Sequence, residues 1–151
     1  MAAALRYARA GVRSQREVLE RLRRDGCAHG VVERALAECR RQGLVDDRAC
    51  ARLWAEHWAR QGLAWAAIRL KLSAKGLGDR AVEEAAVSVG ATPADDEARA
   101  NAVVARRLRV ATVRLSRSHL ARVLASRGFD SDVIERILAA SCGVVSSDAE
   151  R

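Results

Sequence analysis

Residues 68–83 read IRLKLSAKGLGDRAVE, and the fold follows from this stretch. Ile68 and Leu72 stand one helical turn apart, Gly76 breaks the turn, Leu77 follows it, and Val82-Glu83 begins a second apolar face. The same pattern recurs on both sides. Val18, Leu22, Gly26, Cys27 and Val32-Glu33 form one copy, and Leu120, Leu124, Gly128, Phe129 and Ile134-Glu135 form another. The three glycines stand 50 and 52 residues apart. A period of this length marks stacked copies of one helical unit, each too small to bury its own apolar face.

The spacing therefore predicts an all-α chain of three tandem three-helix repeats, at residues 1–45, 46–92 and 93–142. Together they form an elongated body that stacking can curve, and residues 143–151 form a disordered tail. In the first copy a short helix over Ala2–Ala10 precedes Gly11. Ser14 and Glu17 then make a capping box, and Gly26 and Gly43 end the two helices that follow. In the second copy Asp46-Asp47 opens a helix carrying the stripe Cys50, Leu53, Trp54 and Trp58, and Gly62 closes it. Trp65, Ile68 and Leu72 mark the next helix, and Asp79 caps the third. Val89–Ala94, with Pro93, reads as a linker. Asp95, Asp96 and Glu97 then open a helix ending in Arg106, Arg107 and Arg109, an order that suits the helix dipole. The last two helices are expected over 118–127 and 131–140.

Composition supports helix and excludes other classes. Half of the 151 residues are apolar, aromatics are 3%, and Ala, Leu and Arg dominate. No apolar run reaches membrane length and no apolar signal core opens the chain, so a cytoplasmic protein is expected. Cys27, Cys39, Cys50 and Cys142 form no CxxC pair and show no metal-ligand spacing with His29, His57 or His119. Buried, reduced thiols are the expectation, with neither metal nor cofactor. No phosphate-binding loop, dinucleotide fingerprint, zinc-protease motif or nucleophile elbow is present, which argues against an enzyme. The acidic pairs Asp46-Asp47 and Asp95-Asp96 both open helices, and capping accounts for them.

The net charge is +8, and 25 of the 27 basic residues are arginine. A basic surface suits a polyanion or an acidic protein face. The candidate partner-binding residues are Arg13, Arg16, Arg23, Arg24, Arg52, Arg60, Arg69, Lys75, Arg106, Arg107 and Arg127, with Arg9 and Arg114 extending the spread. Charge distributed this way positions a protein on phosphates without reading sequence. Trp54, Trp58 and Trp65 read first as core. An exposed Trp65 would instead serve as an interface anchor or a stacking platform for a base.

Gly43-Leu-Val-Asp46-Asp47, then Arg60-Gln-Gly62, then Ile68-x-x-x-Leu72-x-x-Lys75-Gly76-Leu77 resembles the central repeat of the RecX regulatory proteins. Arg13-Ser14-x-x-Glu17-x-Leu19-x-x-Leu22 resembles their first repeat, and Leu120-x-x-x-Leu124-x-x-Arg127-Gly128-Phe129 their third. The resemblance covers nearly the whole chain in order. It implies three three-helix repeats and a non-enzymatic regulator. Such a protein binds the RecA nucleoprotein filament and modulates, mainly by inhibition, its ATPase, strand-exchange and coprotease activities in recombination and DNA repair. This chain departs from the family at Cys50, where an aromatic is frequent, at Trp58 and Ala67, where basic residues are, and at Ala64, where glycine is. Two other readings stand beside this one: a basic helical-repeat protein that binds single- or double-stranded DNA without RecA, and a helical scaffold for another protein. A monomer is expected, since no heptad seam is present.

Overall fold

The computed structural model describes residue 6 and residues 11–112 and 115–141. Apart from Arg6, which is helical and exposed, the expected helix over Ala2–Ala10, Arg9 included, lies outside these residues, as do Arg114, Cys142 and the 143–151 tail. Among the described residues the chain forms α1 (Gln15–Arg24), α2 (His29–Arg41), α3 (Asp47–Arg60), α4 (Trp65–Ala74), α5 (Asp79–Val89), α6 (Pro93–Val110), α7 (Arg117–Ala125) and α8 (Ser131–Ala140). They fall into two compact units. One holds residues 1–55 and 71–88, the other 56–70 and 89–151.

In the first unit α1 packs on α2. Val18, Leu22, Val32, Ala35 and Cys39 form the buried cluster, edged by Leu19, Cys27, Leu36, Leu44 and Val45. Ser14 starts α1 as its spacing to Glu17 predicts: its hydroxyl accepts the Glu17 N–H at 3.1 Å, and the Glu17 carboxylate accepts the Ser14 N–H at 3.1 Å. The segment before α1 runs beside the segment before α3, with Arg13 bridged to Val45 and the Asp46 N–H donating to the Arg13 carbonyl at 3.2 Å. The two adjacent aspartates divide their tasks. Asp46 caps its own helix by accepting the Arg48 and Ala49 N–H groups at 3.0 Å each. Asp47 instead reaches the first turn of α1, where it accepts the Gln15 N–H at 2.8 Å and the Gln15 side-chain amide at 3.2 Å.

The buried face of α3 differs from the expected stripe. Cys50, Ala51 and Ala55 are buried, Leu53 is 51% exposed, and Trp54 and Trp58 are half-buried. The fully buried positions of this face are the small ones, and Trp54 and Trp58, at helical spacing among them, keep part of their surface in water. Trp65 is half-buried as well.

In the second unit α6, α7 and α8 pack together around Ala64, Ala100, Val103, Val104, Leu120, Leu124, Phe129, Val133, Ile137 and Leu138. Each large apolar side chain fully withdrawn from water contributes about 1.5–3 kcal/mol. Here Val133, not Ile134, holds the buried place at the start of α8, and Ile134 is half-buried. The segment expected as linker is shorter than Val89–Ala94: α6 already begins at Pro93. Thr92 is its N-cap, in a capping box with Asp95, and proline in the first turn loses no hydrogen bond there. Asp96 is freed for another task and accepts the Trp65 N–H at 2.9 Å, capping α4.

A candidate anion-binding site in the second unit

The turns that end α3 and α7 set this site. Gly62 follows α3 with φ +79°, and a Cβ there would stand 2.4 Å from a methyl of Val103 on α6. Gly128 follows α7 with φ +81°, and a Cβ there would stand 2.7 Å from the Cβ of Ala67. Both positions need left-handed backbone and bare space, which glycine alone supplies. The Ala64 N–H donates to the Arg127 carbonyl at 3.0 Å, tying the turn after α7 to the start of α4. The residues just before the two glycines, Gln61 and Arg127, are thereby brought to one place.

They line a cavity of about 660 Å³ with Leu63, Val103, Arg106, Arg107, Val110 and Ser126. Arg106 and Arg107 are exposed on the last turns of α6 and form no ion pair with another described residue. Arg127 is half-buried, and its Nη1 donates to the Val123 carbonyl at 3.1 Å. Its Nε is buried with no hydrogen-bond partner among the described residues. Burial pushes the Arg127 guanidinium below its ordinary pKa range, and the positive charges of Arg107 and Arg106 push it the same way. The wall holds three guanidiniums and no carboxylate, so it favours an anion. A smaller cavity of about 110 Å³ shares Gln61, Val103 and Arg106 and adds Arg60 and Arg99. Arg60 lies 3.7 Å from Glu56. Arg99 is engaged by Asp96 at 2.5 Å and by the carbonyls of Val89 and Gly90 at 2.9 and 2.8 Å.

The remaining sequence-derived candidates belong elsewhere. In the first unit Arg16 pairs with Glu20 at 2.7 Å, and its side chain lies over Gly76. Lys75 sits 3.5 Å from Glu17 and 4.0 Å from the centre of the Trp54 ring. Arg24 donates to the Glu20 carbonyl at 3.4 Å. Arg13 is half-buried beside Val45. Arg23, Arg52 and Arg69 are exposed and form no ion pair with another described residue. Sequence reasoning assembled Arg106, Arg107 and Arg127 only as members of a long list. It missed Gln61, Leu63, Val103, Val110 and Ser126. The available signal was positional: Gln61 and Arg127 both stand immediately before a helix-ending glycine.

Among the described residues no helix is long and apolar enough to cross a membrane, and no group of three His, Cys, Asp or Glu could hold a metal ion. The described cysteines are free. Cys39 and Cys50 are buried, and burial pushes the Cys50 thiol up to about 11.

No family model matches the chain. It is similar to Regulatory protein RecX of Thermobifida fusca (strain YX), 33% identical over 132 residues, which are 83% of this chain and 69% of that protein. It is equally similar, 33% over 144 residues, to Regulatory protein RecX of Streptomyces coelicolor, covering 91% of this chain and 74% of that one. Its fold matches a crystal structure of regulatory protein RecX with TM-score 0.73 at 24% identity, over 90% of this chain and 68% of that chain. It also matches the crystal structure of RecX from Lactobacillus salivarius with TM-score 0.71 at 22% identity, over 92% of each chain.

Proposed function

The chain belongs to the RecX family of regulatory proteins, and from that premise we propose that it regulates a RecA recombinase without chemistry of its own. It binds the RecA nucleoprotein filament and restrains ATPase, strand exchange and coprotease activity during recombination and DNA repair. It acts in the cytoplasm as a monomer, with its thiols reduced and no cofactor, and the three sequence copies supply successive weak contacts that add through multivalency.

The observation that carries this reading is the set of arginines left without acidic partners. Arg23, Arg52, Arg69, Arg106 and Arg107 are exposed and form no ion pair with another described residue. Charges held unpaired on a folded surface speed and orient the encounter with a polyanionic assembly. Lys75, Arg16 and Arg99, by contrast, are engaged inside their own units and serve the fold.

The test is the single-stranded-DNA-dependent ATPase of RecA titrated with this protein, beside its binding to the same DNA without RecA. Inhibition is expected at protein concentrations well below those that coat bare DNA, and Arg52→Glu with Arg69→Glu is expected to weaken it. The net charge of +8 favours a second reading, DNA binding independent of RecA. Inhibition only once the DNA is covered, with a steep salt dependence, would support that reading instead.

A further inference from the structure

The arginine cavity of the second unit differs from two other cavities among the described residues, and shares its lack of a carboxylate with the small cavity beside it, where Arg60 and Arg99 are paired with Glu56 and Asp96. One in the first unit is lined by Arg16, Arg24 and Lys75 but also by Glu17 and Glu20. Another, between α7 and α8, sets Arg117 and Arg122 against Glu135. Each carries its own counter-charge. The cavity of Arg106, Arg107 and Arg127 carries none.

We propose that this cavity is a nucleotide site. It takes consecutive phosphates on Arg106, Arg107 and Arg127 and a sugar or base against Leu63, Val103 and Val110. The charge count favours phosphates over a side-chain carboxylate. One carboxylate offers a single negative charge to three guanidiniums, whereas adjacent phosphates offer several, each with oxygens that fit the planar guanidinium fork. Arg127 supplies the sharpest indication. Its Nε is buried, aimed at no acceptor among the described residues, and flanked by two like charges. Such a donor costs free energy until an anion meets it. Ser126 and Gln61 add neutral hydrogen-bonding groups to the same wall, and Leu63, Val103 and the 71% exposed Val110 offer a ring or sugar apolar surface to cover. The volume falls within the range of about 300–1,000 Å³ usual for small-molecule sites.

A free nucleoside polyphosphate and a single-stranded nucleic acid both present this chemistry, and the test separates them. Fluorescence anisotropy at low salt would follow a fluorescent nucleoside triphosphate and, separately, a labelled short oligothymidylate, with inorganic tripolyphosphate as competitor. RecA is absent throughout, so the result is independent of the filament reading. Arg106→Gln with Arg107→Gln changes two exposed side chains and should leave the fold intact, as circular dichroism would verify. It is expected to weaken the bound probe roughly tenfold or more. Arg23→Gln with Arg24→Gln, in the first unit, should change it by less than about twofold. Val110→Ser should weaken the nucleoside triphosphate but not tripolyphosphate. A loss confined to the triphosphate assigns the site to free nucleotides, and a loss confined to the oligonucleotide assigns it to a nucleic-acid strand. Either result, or both together, supports the proposal. Failure of the wild-type protein to bind either probe, or an equal loss in the Arg23 and Arg24 variant, overturns it.

Discussion

The ammonium of Lys75 lies 4.0 Å above the centre of the Trp54 ring. The same ammonium stands 3.5 Å from the Glu17 carboxylate, whose other oxygen closes the capping box of α1. Both members of the ion pair are less than a third exposed. Lys75→Met keeps the aliphatic stem and removes the charge, so it should cost about 1 kcal/mol, measured as a shift of the urea midpoint. Trp54 fluorescence should change with it. In a Trp54→Leu background the loss should shrink, because the ring contact is already gone.

Gly128→Ala and Gly26→Ala place the same methyl on similar backbone with different surroundings. Gly26 has φ +73° and open space around its missing Cβ. Its alanine variant should lose only the left-handed strain, about 1–2 kcal/mol. Gly128 adds an encounter with Ala67 at 2.7 Å. Its variant should lose roughly 1 kcal/mol more, and pairing it with Ala67→Gly should recover that increment. Thermal midpoints of the four proteins measure both effects.

Asp96 holds two elements through one carboxylate oxygen, which accepts from the Trp65 N–H and from Arg99. Asp96→Ala should cost about 2 kcal/mol or more, because it uncaps α4 and leaves a largely buried guanidinium without its counter-charge. Asp96→Asn keeps an acceptor and should cost less. Chemical denaturation of the two variants gives the comparison.

Burial raises the Cys50 thiol to about 11, with the Glu17 charge acting in the same direction. In a Cys142→Ser protein at pH 8, half-buried Cys27 should therefore react with a thiol reagent well before Cys50 or Cys39. The sign of the linkage follows. The folded state holds the Cys50 proton more tightly than the unfolded chain. This contribution to stability is intact below the ordinary thiol pKa near 9 and is lost as pH rises through about 11. Denaturant midpoints between pH 8 and pH 10.5 should fall, and Cys50→Ala should flatten the decline.

The helices and their ends were legible in the sequence because their causes are local. Ser14 with Glu17, and the positive φ by which the glycines at 26, 62, 76 and 128 end their helices, act within four residues of themselves. Inward faces were read less well. Leu53 was expected inside and is exposed, while Ala51 and Ala55 are buried, since packing chose small residues over apolar ones. The copy alignment put Ile134 where Val32 and Val82 stand, yet Val133 is the residue buried there. Asp47 and Asp96 looked like caps of their own helices. Both instead serve an N–H more than 30 residues away, a partnership no short window contains. The arginine cavity was hidden for the same reason: α6 and the turn after α7 supply the charge, and their approach depends on two glycine contacts.

The chain passes between the two compact units at residues 55–56, 70–71 and 88–89, and all three passages fall inside helices, the third at the last step of α5. The period written in the sequence and the grain of the packed protein thus run on different lines. A fragment cut at residue 45 or 92 would sever none of these helices, yet it would leave one of the two bodies without part of its own substance. Exchange of single copies between related chains should therefore fail more often than exchange of paired segments that respect all three crossings.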